Sequence, residues 1–297
     1  VENINADDAK IAAIPDSVPE VTETHFSPNN PPWGSPMAVF VWLASFALIA
    51  IVPVLFLIPY LLSQNVNFSD QEKFVEIATK DPTSLLIQIG AVIPAHLITL
   101  LLAWLVITNY RKYSFTEMLG WKWGGFKWWH ALLLLIAVFT LAYLMVSIFG
   151  EQDNDLMKIL RSSRAMVYLV AVMATFSAPI VEEVVYRGVL YSAFQRTFNI
   201  PVAVFLVTLV FAGVHFPQYW GDYSTLITLT FLSLVITMIR VKTDNLLPCI
   251  LFHFLINGIQ SLLLVLQPLL PESMNTTKPA AEALIHTVWN AGLLYFR

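Results

Sequence analysis

Apolar and polar positions along this chain separate into long blocks instead of alternating. Seven blocks carry no Asp, Glu, Lys or Arg: Met37–Leu62, Ser84–Asn109, Trp128–Gly150, Ala165–Val181, Val202–Phe216, Tyr223–Ile239 and Leu246–Leu270. Several exceed the roughly 20 residues that a helix needs to cross a hydrocarbon core about 30 Å thick. The connection Ser63–Thr83 is polar, and a short helix is expected around Asp70–Thr79 with Ser69 as its cap. Tyr110–Lys127 interleaves Arg111, Lys112, Lys122 and Lys127 with tryptophans, the pattern of a headgroup-level segment with an aromatic belt. The pattern predicts an all-α polytopic transmembrane helix bundle with seven clear spans. Ala280–Phe296, which Glu282 and His286 interrupt, is apolar enough for an interfacial helix or an eighth span.

Before the first block, residues 1–35 are acidic and Pro-rich with little apolar periodicity, and read as a disordered tail. Residues 36–297 then form the membrane domain. No secretory signal is expected, because the first apolar block begins near Met37 and is too long for a signal core.

Composition sharpens this picture. Only 12% of residues are charged and 57% are hydrophobic, which excludes an ordinary water-soluble enzyme. The net charge of −4 is accounted for by the six acids before residue 24, and no basic patch exists to hold nucleic acid. Cys249, the single cysteine, lies in an apolar block, so neither a disulfide nor a thiolate-rich metal site forms within one chain; it reads as a small packing residue. With a cytoplasmic amino terminus, nine of the 16 Lys and Arg fall on the cytoplasmic side and seven on the other, a lean too small to fix orientation.

In lipid an ionisable side chain is costly unless paired or set in a wet cavity, so each one inside a span is a candidate for function. Three clusters qualify. Glu182, Glu183 and Arg187 follow directly on the block Ala165–Val181; Phe211 and His215 end the next block; His253 and Asn257 lie inside the last. Glu183 and Arg187 are four apart and can form an ion pair on one helix face. Glu182 then points about 100° away without a cation on its own helix, which suits it to take a proton from water. His253 and Asn257 share a face and can converge on one oxygen, as an oxyanion hole requires. Counted from a turn at Asn199–Pro201, Glu182 and His215 both fall roughly 22–26 Å deep and are level, whereas His253 is too shallow unless Gly188–Phe198 bends away. The remaining histidines have plainer readings. His96 is expected to bond between helices, His130 to sit at the interface, and His25 and His286 to have no role.

The set Glu182-Glu183-x-x-x-Arg187, Phe211-x-x-x-His215 and His253-x-x-x-Asn257 resembles the three motifs of the CAAX protease and bacteriocin-processing family of intramembrane proteases, best known for type II CAAX prenyl endopeptidases. The resemblance covers roughly residues 165–260; the long acidic tail is outside the family's pattern. It implies an eight-helix bundle around a water-filled intramembrane catalytic cavity. It further implies an endopeptidase that cleaves near the end of a membrane-associated protein or peptide. On this resemblance Glu182 and His215 position and activate water, His253 and Asn257 stabilise the oxyanion, and Glu183 and Arg187 support the site. A plasma (inner) membrane location is expected if the source is prokaryotic, with the site opening to the cytoplasm.

Two questions stay open at this level. Glu182, His215 and His253 would suit a catalytic zinc, but the HExxH spacing is absent, and a metal-free glutamate mechanism is favoured. A non-catalytic scaffold, assembly or immunity protein on the same fold is the alternative function, and completeness of the motif set favours the enzyme. A transporter with a proton relay ranks last, since no inverted repeat is visible.

Overall fold

The computed structural model describes residues 25–266, apart from residues 68, 151–159, 161–162 and 218. The expected eighth span and residues 1–24 of the tail lie outside the described residues. Nine helices are described: α1 Ser35–Ser63, α2 Gln71–Lys80, α3 Pro82–Ile107, α4 Phe115–Leu119, α5 Trp128–Phe149, α6 Arg164–Thr197, α7 Ile200–His215, α8 Tyr223–Thr243 and α9 Leu247–Leu266. No β-strand occurs among the described residues. Six of these helices (α1, α3, α5, α6, α8 and α9) are long and apolar enough to cross a membrane. The fifth apolar block forms α7, whose 16 residues extend about 24 Å, short of a full crossing.

Helix starts follow the polar breaks. Asp81, Asn199 and Asp222 each cap a helix by accepting a backbone N–H three residues on. The cap of the short helix α2 falls one residue later than expected. Asp70, not Ser69, accepts from the Lys73 N–H, and a carboxylate there also complements the helix dipole.

The bundle is organised around α6, which packs against α1, α3, α7 and α9, while α8 bridges α5 and α7. Its winding changes twice, to π turns over Met173–Ser177 and Glu183–Leu190. The first lies immediately before Pro179, whose ring would crowd the Thr175 carbonyl in a regular α-helix and which has no N–H to give. All eight residues of the second π segment are buried, and it carries Glu183 and Arg187. The expected bend at Gly188–Phe198 does not occur, and α6 runs on to Thr197.

What brings His253 to the depth of the acids is instead a recessed start for α9. Leu246 is fully buried, and its N–H donates to the carbonyls of Leu119 and Gly120 at 3.1 and 2.9 Å. The 115–127 segment therefore lies over the α8–α9 turn. Gly120 (φ +74°) and Gly124 (φ +55°) make this possible, because a Cβ on either would strike the backbone of residues 243–245.

Residues 25–34 belong by composition to the tail, yet they form a strap packed on the bundle. Trp33 is buried and donates from Nε1 to the Val189 carbonyl at 3.1 Å. Asn29 donates to Asp244 at 2.6 Å, the Pro28 carbonyl accepts from Arg240 at 2.9 Å, and the Pro31 carbonyl accepts from Arg196. Composition placed the boundary at residue 35 because prolines look like linker. Here their carbonyls serve as acceptors for helix cations.

Gly124→Ala and Gly125→Ala both place a side chain at positive φ, but only the first meets neighbouring atoms. The Gly124 variant is expected to lower the thermal unfolding midpoint in detergent well beyond the Gly125 variant. Equal shifts would show that the interfacial segment does not hold the α8–α9 turn.

Candidate active site

Glu183 is the hub of the polar cluster. Its Oε1 accepts from Arg187 Nη1 at 2.9 Å and lies 2.8 Å from His253 Nδ1, so one carboxylate oxygen joins α6 to α9. The rest of the Arg187 fork is spent on α8. Nε donates to Thr237 Oγ1 at 3.2 Å, and Nη2 donates to the carbonyl and hydroxyl oxygens of Ser233 at 2.9 and 2.8 Å. Phe211 on α7 closes the remaining side, its ring 4.9 Å from the guanidinium carbon. Two helices and an aromatic face from a third thus hold a cation with no exposure to solvent.

The neighbouring acid is placed differently. Glu182 Oε2 lies 3.9 Å from His253 Nε2, beyond direct hydrogen-bond reach, and neither atom has a hydrogen-bond partner. His253 therefore stands between two carboxylates, bonded to Glu183 through Nδ1 and facing Glu182 through Nε2. Because Arg187 ion-pairs with Glu183, that carboxylate is an acceptor, and Nδ1 carries the proton given to it.

One turn along α9, Asn257 donates from Nδ2 to the Ala174 carbonyl at 2.8 Å. That bond uses one of its two amide hydrogens. Ala174 lies in the first π turn, where unwinding frees a carbonyl from the regular ladder. His215 ends α7 with Nδ1 on the Phe211 carbonyl, and its ring stacks 4.8 Å from the Phe211 ring. Phe211 thus touches both His215 and Arg187. Glu182, Glu183, Arg187, His215, His253 and Asn257 are all 0–2% exposed, so the water-filled cavity that the resemblance implies is closed in this conformation.

Several partners escaped the sequence reading. Ser233 and Thr237 sit in a block that reads as plain span, and their four-residue spacing on one helix face was the available signal. Trp42 of α1 donates to the Tyr186 hydroxyl at 3.3 Å, tying the first span to the motif helix. His96 bonds Ser177 across the α3–α6 contact at 3.1 Å, the interhelical role expected of it. His130 accepts the Lys127 N–H at the start of α5. Cys249 is buried, with its thiol against backbone carbonyls of Ile236 and Asn245.

A metal finds only a partial donor set. Glu182 and His253 offer two facing atoms, but His253 Nδ1 is committed to Glu183, and among the described residues no three His, Cys, Asp or Glu side chains converge as ligands. The residues present do not fit a three-ligand zinc site.

Breaking a buried pair strands a charge, whereas removing both partners does not. Glu183→Gln is therefore expected to destabilise the bundle by about 3–5 kcal/mol, read by thermal unfolding in detergent. Combined with Arg187→Met, it should recover part of that loss. Additive losses would overturn the hub role.

Residues 164–259 match the family model described as type II CAAX prenyl endopeptidase Rce1-like. The match begins with α6, ends within α9 and includes all seven motif residues. Neither the curated proteins nor the solved structures gave a match. Over this segment, about a third of its length, the chain is similar to type II CAAX prenyl endopeptidases, and the motif residues that carry the likeness all fall within it.

Proposed function

We propose that this chain hydrolyses a peptide bond near the carboxyl end of a membrane-associated protein or peptide, with Glu182 as general base and no metal. The observation that carries this reading is the facing pair Glu182 Oε2 and His253 Nε2. Their 3.9 Å separation lets one water approach both at about 2.8 Å. Such a water sits against a carboxylate with no competing partner, in surroundings of low dielectric where electrostatic effects are strong.

In this mechanism Glu182 takes a proton from the water as the oxygen attacks the scissile carbonyl carbon. Negative charge moves to the carbonyl oxygen, which Asn257 meets with its free amide hydrogen. Glu183 holds His253 through Nδ1 and so aims Nε2 at the water beside Glu182. The proton on Glu182 then passes to the leaving amine as the C–N bond breaks. Arg187, Ser233 and Thr237 touch no reacting atom; they fix Glu183 and so orient His253. His215 is assigned to water positioning with Glu182, in line with the family resemblance. Because the six residues are sealed, a peptide and water enter only when the bundle opens around them.

The test compares peptide termini by mass spectrometry in membranes of cells expressing the native chain and Glu182→Gln at matched levels. Termini unique to the native chain, and lost again in His253→Ala, are expected. No difference between folded, inserted proteins would favour the scaffold reading. With a substrate in hand, cleavage by the purified chain is expected to survive a zinc chelator unchanged. Loss on chelation and return with Zn²⁺ would replace the metal-free mechanism.

A further inference from the structure

The buried face of α9 continues beyond the residues that the mechanism uses. Its polar members are His253, Asn257, Gln260 and Ser261. Three of them are tied to α6. His253 bonds Glu183, Asn257 donates to the Ala174 carbonyl, and Ser261 accepts from Thr175 at 2.9 Å and donates to the Ala171 carbonyl at 3.2 Å. Gln260 stands apart from this pattern. It is only 3% exposed, and its Oε1 has no hydrogen-bond partner among the described residues. Asn257 Oδ1 is in the same condition.

Helix geometry sets where Gln260 lies relative to the site. Seven residues bring a helix back to within about 20° of the same direction, so Gln260 stands nearly in line with His253, roughly 10 Å further along the axis. Side chains on a helix lean toward its N-terminus, which carries the Gln260 amide back over the turn that holds Asn257. Three buried atoms without a hydrogen-bond partner, His253 Nε2, Asn257 Oδ1 and Gln260 Oε1, therefore follow one another along one face. The first faces Glu182. The other two are amide oxygens, and each lacks an N–H.

Leaving a buried acceptor unmatched is costly, and native structures rarely do so without a reason. The partner that fits carries N–H groups a few ångströms apart and arrives only when the bundle opens. The backbone of an extended peptide has that form. A side-chain amide, with an acceptor and two donors, matches both the N–H and the C=O of such a backbone.

We infer that Gln260 is a substrate-binding residue that holds the main chain of the peptide beside the scissile bond, its Oε1 accepting a backbone N–H. This rests on the proposed peptidase reading and adds to it how the cleaved segment is kept extended. Asn257 and Gln260 are separated along the axis by roughly 4.5 Å, which an extended peptide covers in one or two residues. With the scissile carbonyl at Asn257, the bonded N–H is thus one or two residues away. Contact through the main chain leaves the side chain at that position unread, but a proline there, with no N–H, makes a poor ligand.

The test measures binding apart from catalysis. The full chain carrying Glu182→Gln, in lipid nanodiscs, is titrated with a fluorescent peptide bearing S-farnesylcysteine three residues from its carboxyl end. A matching set replaces each peptide bond near that cysteine in turn by an ester, which removes one N–H. One ester is expected to bind about fivefold more weakly than the all-amide peptide. Adding Gln260→Met should weaken the all-amide peptide by about the same factor and abolish the penalty of that ester alone. Without peptide, Gln260→Met should leave the thermal unfolding midpoint unchanged or raised, because it replaces an unmatched acceptor by an apolar chain of similar size. A residue that serves only packing would lower the midpoint and weaken every peptide alike, and that result overturns the inference. An ester series in which no penalty depends on position 260 overturns it too, while leaving the peptidase reading in place. Failure of the all-amide peptide to bind the Glu182→Gln chain counts against both.

Discussion

A single carboxylate oxygen, Glu183 Oε1, carries two bonds on which the core depends: one to Arg187 on its own helix and one to His253 on α9. A bilayer protein cannot leave either group unmatched, because no solvent is present to replace a missing partner. Charge balance here therefore also sets geometry. Arg187 is held to α8 by Ser233 and Thr237, His253 is held to α6 by Glu183, and the three helices are fixed relative to one another by hydrogen bonds that an apolar interface between lipid-like surfaces would not supply. The same carboxylate orients the imidazole, holding Nδ1 at 2.8 Å and leaving Nε2 to face Glu182. Glu182 Oε2 and His253 Nε2 are among the cluster atoms with unmet bonding capacity, and they face each other at 3.9 Å, which is why the proposed chemistry is put there.

The two π turns of α6 explain how a helix can be both structural centre and site. A regular helix satisfies its own carbonyls and presents a fixed face. Unwinding at Met173–Ser177 accompanies Pro179 and leaves the Ala174 carbonyl to Asn257. Unwinding at Glu183–Leu190 coincides with the segment whose residues are all buried, where side chains must reach α1, α8 and α9 together. A π turn costs stability in isolation, and here it is retained where polar partners on neighbouring helices offset it.

Much of this was legible in the chain. Seven uncharged blocks became seven helices, because the hydrocarbon core imposes a length on uncharged sequence, and the four-residue spacing of Glu183 and Arg187 was enough to foresee their pair. Block length could not reveal which residues the motif helix would recruit. Ser233 and Thr237 are common residues in spans, and only the position of Arg187 gives them meaning. The depth of His253 was misjudged because helix counting assumes that connecting turns lie at the surface, whereas here Leu246, which ends the α8–α9 turn, is buried and bonded to the carbonyls of Leu119 and Gly120. The cap of α2 and the start of the packed chain were misplaced for a related reason. Polar and proline-rich stretches look alike whether they float or bond, and Pro28 and Pro31 bond through backbone carbonyls that carry no sequence signature.

The contrast between the two buried arginines gives the seam a direction. Both stand between α6 and α8, each reaching a hydroxyl on the other helix: Arg187 from α6 to Thr237, Arg240 from α8 to Ser192. At one end the cation is matched inside the fold, so its surroundings gain nothing from a ligand and act as a fixed support. At the other end the strap carbonyl of Pro28, the Ser192 hydroxyl and the Tyr191 ring surround the cation, and its charge is spread over neutral dipoles that tie the strap to the seam.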